Sequence, residues 1–162
     1  MAAGNTYIAL ATTTLGSNVA SVTLSSIPST YTDLVLVSNG QTSSTSFDIR
    51  FQVNGDTATN YSSTQLYGTG SSAASTRSST QSSCVFWNSS LVNQTAIINI
   101  MNYANTTTYK TFLVRGANTA GNIDADVGLW RSTAAINSVT VLIGSGTLSS
   151  GSTFTLYGIA AA

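Results

Sequence analysis

A chain of 162 residues with no histidine and only five acids, Asp33, Asp48, Asp56, Asp124 and Asp126, lacks most side chains that transfer protons, ligate metals or attack carbonyls. Net charge is zero and only 6% of residues are charged, so there is no basic cluster to neutralise phosphates, and nucleic acid is not an expected partner. About a third of the residues are Ser or Thr against a 42% hydrophobic content, which suits one domain spanning 1–162 with a single core.

Alternation and β-branched runs recur from end to end, while helical periodicity is almost absent. Residues 1–6 read as an N-terminal arm, without the basic and apolar regions of a secretory signal. The first strands are expected at Tyr7–Leu15 and Val19–Leu24, with Pro28 marking a turn. Asp33–Ser38 follows and ends on Asn39-Gly40, a strong turn dipeptide. In Ser46–Val53, Phe47, Ile49, Phe51 and Val53 point one way and Asp48, Arg50 and Gln52 the other. Residues 57–82 carry no strand pattern and read as a long polar loop around Tyr61 and Tyr67, with a one-turn helix near Ala58–Tyr61. Strands resume at Ser83–Trp87, Thr95–Tyr103, Tyr109–Gly116, Asp126–Trp130, Ser138–Ile143 and Thr153–Ile159. The Ile97-Ile98 pair and Ile100 suggest a strand covered on both faces. About ten short strands joined by Gly/Ser-rich turns predict an all-β, antiparallel, jelly-roll-like sandwich.

No catalytic constellation emerges, and the chain reads as a non-enzyme without cofactor or metal. Ser–Lys chemistry would need Lys110, which reads as a solvated strand lysine. Asp124-Ala125-Asp126 places two carboxylates on one side of an extended segment, a weak calcium signal beside the simpler reading as polar turn residues. Paired carboxylates for glycoside hydrolysis have no acid of evidently raised pKa. Cys84, the single cysteine, reads as a buried inert thiol. Four Asn-x-Ser/Thr sequons, at Asn60, Asn88, Asn93 and Asn105, are expected by chance in this composition. Trp87 and Trp130 read as sugar platforms or core fillers, Trp130 more as core. No apolar stretch is long enough to cross a bilayer as a helix, and the chain reads as made in a cytoplasm.

Three ordered segments carry a resemblance. The first is Val22-Thr23-Leu24-Ser25-Ser26-Ile27-Pro28-Ser29-Thr30-Tyr31-Thr32-Asp33-Leu34-Val35-Leu36. The second is Phe51-Gln52-Val53-Asn54-Gly55-Asp56, followed by Asn60-Tyr61-Ser62 and Leu66-Tyr67-Gly68. The third is Gly128-Leu129-Trp130-Arg131-Ser132-Thr133-Ala134-Ala135-Ile136, closed by Gly151-Ser152-Thr153-Phe154-Thr155-Leu156-Tyr157-Gly158-Ile159. Together they resemble a family of tailed-bacteriophage virion proteins, abundant in phages of aquatic bacteria and cyanobacteria, over residues 6–160. The resemblance implies a jelly-roll-like domain serving as a homotrimeric capsid decoration (cement) protein or as a tail-fibre tip. A first strand within ten residues of Met1 leaves no room for a fibre shaft, which favours a decoration protein seated on the major capsid protein, on the capsid exterior. The alternative is a tail-associated adhesin binding host glycan through Tyr61, Tyr67 and Trp87. The expected contact residues are Ala2, Asn5, Tyr7, Tyr61 and Tyr67.

Overall fold

A computed structural model describes residues 6–43, 47–89 and 93–160, with backbone alone for 47–48 and 86–89. Twelve strands occur among them: β1 Tyr7–Thr14, β2 Ser21–Leu24, β3 Asp33–Gly40, β4 Phe47–Val53, β5 Tyr61–Gly68, β6 Ala73–Gln81, β7 Cys84–Ser89, β8 Gln94–Ile100, β9 Lys110–Asn118, β10 Ile123–Trp130, β11 Val139–Ile143 and β12 Thr153–Ile159. Ten correspond to the expected strands. The other two, β5 and β6, fall within residues 57–82 and correct the reading of that stretch as a loop.

All ladders are antiparallel. One sheet has eight strands in the order β1-β12-β3-β8-β9-β10-β5-β6, and the other has four, β2-β11-β4-β7. The quartets β1-β12-β3-β8 and β2-β11-β4-β7 form a jelly roll, in which the chain alternates between two four-stranded sheets and folds back along itself. The remaining four strands are insertions. The β5–β6 hairpin lies between β4 and β7, the β9–β10 hairpin between β8 and β11, and both extend the first sheet beyond β8. The fold is thus the expected all-β sandwich, widened on one side.

The core lies between the sheets. Leu36, Ile98, Phe112, Phe154 and Leu156 of the large sheet meet Val22, Phe51, Val53, Val139 and Val141 of the small one, all buried. Phe51 and Phe112 join the layers edge to face, with ring centroids 4.5 Å apart at 81°. Strand β8 is not covered on both faces: Ile98 and Ile100 are fully buried, whereas Ile97 and Asn99, which alternate with them, are only half-buried. Ordinary alternation wins because the outer face of the large sheet carries no second layer among the described residues.

The segment after β4 is a side-chain-braced turn, not the expected one-turn helix. Asn54 and Gly55 both take positive φ, 55° and 64°, which Asn and Gly tolerate best. Asp56 then folds the chain around its carboxylate. Its Oδ1 accepts from the Ala58 amide at 2.9 Å, and its Oδ2 from Asn60 Nδ2 at 2.9 Å and Trp130 Nε1 at 2.6 Å. Burial pushes this carboxyl up, but the bonds from Asn60, Trp130 and Ala58 outweigh it and hold the pKa below the ordinary value.

Candidate functional site

The inserted hairpins carry an inverted pattern. In β10, Ile123, Ala125 and Val127 face outward, while Asp124, Asp126 and Gly128 face the interior. In β5, Leu66 is exposed and Gln65 buried. A one-residue slip would exchange these faces, so other residues must hold the register. Trp130 does so at one end, through its bond to Asp56 and its stacking on Tyr61 at 6.4 Å. Gly128 does so in the middle, because a Cβ there would stand 2.3 Å from Cys84 Sγ and 3.2 Å from the Phe112 ring. With those two positions fixed inward, alternation places the aspartates inside and the aliphatics outside.

The outer face is therefore apolar. Leu66 is 58% exposed, Ile123 62% and Val127 50%, and Leu113 lies directly opposite Val127 on β9. Ala125 sits beside Leu66, so the side chains form a contiguous stripe. Part of it is a shallow groove of about 520 Å³ whose walls include Leu66, Ala73 and Ile123. Isolated exposed aliphatics are ordinary, but a contiguous stripe on a sheet face is a feature of contact surfaces.

The inner face of these strands and of neighbouring β8 is apolar at one end, where Tyr61, Phe112 and Trp130 join the core, and polar at the other. Asp126 is directly opposite Gln65 of β5, Asp124 opposite Tyr67, and Gln94 of β8 opposite Asn118 of β9. Asp124, Asp126, Gln65, Gln94 and Asn118 are each at least nine-tenths buried. Both Asp126 oxygens, both Gln94 amide atoms and Asn118 Nδ2 have no hydrogen-bond partner. Burial pushes the Asp126 carboxyl up to about 7, reinforced by the Asp124 charge; Gln65 and the Leu66 amide lie near enough to offset part of this, but not in hydrogen-bonding geometry. Burial raises Asp124 to about 6. These two residues are thus interior strand residues and not the polar turn residues expected.

The predicted contact residues separate. Ala2 and Asn5 lie outside the described residues. Tyr7 opens β1 and is 59% exposed, its ring edge-on to Tyr157 at 6.1 Å. Tyr67 is half-buried on β5. Tyr61 is fully buried: its hydroxyl donates to the Val53 carbonyl at 3.3 Å and accepts from the Val53 amide at 3.1 Å. It is a core residue bridging the two sheets, and its assignment as a contact residue is corrected. The backbone of Trp87 pairs with Ile49, and its side chain lies outside what is described. Nothing in the polarity of 57–82 indicates which residue faces inward; that follows from the pairing of β5 with β10.

Lys110 is also corrected. It is 1% exposed, and its Nζ donates to the carbonyls of Thr108 at 2.8 Å and Thr133 at 3.2 Å. Burial lowers its pKa. It ties the segment after β10 to the start of β9, and no serine hydroxyl is among its bonded partners. Cys84 is 1% exposed, and burial, then the charge of Asp126, push its thiol up to about 12, which makes it unreactive at neutral pH.

The fold and this face define an all-β jelly-roll domain with a two-hairpin sheet extension. Among known proteins, the chain matches no protein-family model and no curated protein. Among solved structures it is weakly similar to a protein of unknown function from Shewanella oneidensis MR-1, at 9% identity and a TM-score of 0.25 over 100% of this chain and 74% of that one.

Proposed function

We propose that this chain is a structural subunit of a tailed-phage virion, a capsid decoration protein that trimerises on the outer head surface and stabilises the shell. The observation that carries the assembly part of this reading is the apolar stripe of Leu66, Leu113, Ile123, Ala125 and Val127 on the sheet extension. Aliphatic side chains are held outward there while carboxylates occupy the inner face, an arrangement that self-association would offset by covering the stripe. The low charge of the chain removes long-range repulsion between copies. A protein that binds only the assembled lattice stabilises it by mass action, and threefold symmetry multiplies weak contacts to the major capsid protein. The adhesin alternative loses Tyr61, which is buried, and no observation favours it.

Sedimentation equilibrium tests the assembly part. The wild type is expected at three times the chain mass of 16.7 kDa. Leu113→Lys with Val127→Lys puts two like charges into the covered stripe and should weaken association at least a hundredfold, about 3 kcal/mol. A wild type that stays monomeric at all concentrations, or a variant that assembles as before, removes the stripe from the account.

A further inference from the structure

We infer that the distal end of the sheet extension, residues 65–68, 73–76 and 123–126, is a proton-operated latch: it stays folded against the small sheet while the Asp126 carboxyl is neutral and opens locally when that carboxyl ionises. The latch itself is independent of the virion reading; its effect on assembly rests on the outer stripe as the contact surface.

The two ends of the inserted strands are held differently. At one end Tyr61, Phe112 and Trp130 belong to the core, and Gly128 packs under Cys84. At the other, no residue of 65–68, 73–76 or 123–126 belongs to it. The inward side chains there are Gln65, Tyr67, Asp124 and Asp126, and β6 is exposed on nearly all its residues. Backbone ladders from β9 through β10 and β5 to β6 fix this end in place of apolar packing. A segment that buries little apolar surface opens at less than the cost of global unfolding.

Asp126 supplies the trigger. It is 2% exposed, lies directly across from Gln65 and Val114, and has neither oxygen bonded. An ionised carboxylate held there has neither water nor a partner, which is strongly unfavourable. The sequence has five basic side chains, and none faces it. Arg50 alternates with inward Ile49 and Phe51 on β4, and Arg77 and Arg115 lie on the outer face of the large sheet. Lys110 and Arg131 are engaged elsewhere, Arg131 with Asn60 and Ser62. Among the described residues, the titratable groups facing Asp126 are Asp124 on its own strand, Tyr67 of β5 and Cys84 of β7, while β9 presents Val114 and Gly116. Asp124 opposes ionisation by like charge, and the Cys84 thiol, pushed up to about 12 by burial, stays neutral. Within the chain, only a proton or exposure to water can relieve the site. Burial keeps the carboxyl protonated up to about 7, whereas in an open segment it returns to the ordinary range, so rising pH favours opening. Leu66, Ile123 and Ala125 of the stripe lie on the opening residues, and opening dismantles that surface.

The test is amide-resolved hydrogen exchange, corrected for the intrinsic rate at each pH and run in chelating buffer so that no metal ion replaces the proton. Ladder amides of 65–68 and 123–126 should be less protected than the slowest amides of β3 and β8, and less sensitive to urea. Their protection should fall about a hundredfold between pH 5 and 8. Asp126→Asn should keep most of the pH 5 protection at pH 8, with Asp126→Ala in its place if it does not fold. Asp33→Asn, whose carboxylate binds the Asn102 amide elsewhere, should follow the wild type. Protection that is constant with pH, that is lost only together with β3 and β8, or that falls equally in Asp126→Asn would overturn the latch. Sedimentation equilibrium reads the coupling: wild-type association should weaken from pH 6 to 8, and that of Asp126→Asn should not. A wild type that is monomeric throughout removes the stripe as contact surface, while the exchange result still decides the latch.

Discussion

Replacing Phe112 with alanine should lower the unfolding free energy by about 3–5 kcal/mol, the largest single-residue loss expected in this chain. Phe112 is fully buried on β9, and its ring is the edge-to-face partner of Phe51 on the opposing sheet. Truncation removes the transfer free energy of the ring and leaves a cavity beside Gly128, where no Cβ is present to fill it. Against a typical total of about 5–15 kcal/mol this is a large fraction, and Tm should fall by about 6–20 °C. Urea unfolding of the single variants and of the Phe51→Ala, Phe112→Ala double variant checks the geometry. The pair should couple by about 0.5–1.5 kcal/mol. A loss below 1 kcal/mol at Phe112 would mean that the two sheets do not meet at this contact.

In chelating buffer, stability should fall as pH rises from about 4 to 8, opposite to the usual behaviour of a carboxylate stabilised by folding. The cause is Asp126, with its folded pKa raised by burial from 3.8 to about 7. The folded state binds the proton more tightly than the unfolded chain does. The contribution is fully present below the unfolded pKa and is lost as pH rises through the folded one. That displacement corresponds to about 4 kcal/mol. Asp124, raised to about 6, acts in the same direction. Among the described residues, the other groups facing Asp126 are Cys84 of β7, whose thiol at about 12 stays neutral throughout, and Gln65 and Tyr67 of β5; β9 presents Val114 and Gly116. Asp56 has the opposite sign, but its lowered pKa confines its effect to more acid solution. Asp126→Asn should flatten most of the slope and be more stable than the wild type at pH 8. A wild-type stability that rises between pH 4 and 8, followed by urea titration, would contradict the inward placement of this carboxylate.

The sandwich was legible wherever apolar alternation matched burial. Phe51 and Val53 on β4, Val139 and Val141 on β11, and Phe154 and Leu156 on β12 face the core as their spacing predicts. β6 was not legible. Ala-Ala-Ser-Thr-Arg-Ser-Ser-Thr-Gln is an edge strand exposed on nearly all its residues, so its pairing with β5 leaves no hydrophobic pattern. The candidate site was obscured for a different reason. In Ile123-Asp124-Ala125-Asp126-Val127 the alternation is clear, but a sequence reading assigns the aliphatic face to the core by default. The register is set further along the strand, by Gly128 beneath Cys84 and Trp130 against Asp56, and those contacts are long-range. Lys110 was misread for a similar reason: its partner carbonyl on Thr133 lies in a distant loop.

The measurement closest to the central claim is the copy number of this chain in purified phage particles, by quantitative mass spectrometry against the major shell protein. A decoration protein covering the head is expected at a ratio near one. A ratio of a few per hundred would contradict that role and place the chain among the tail components.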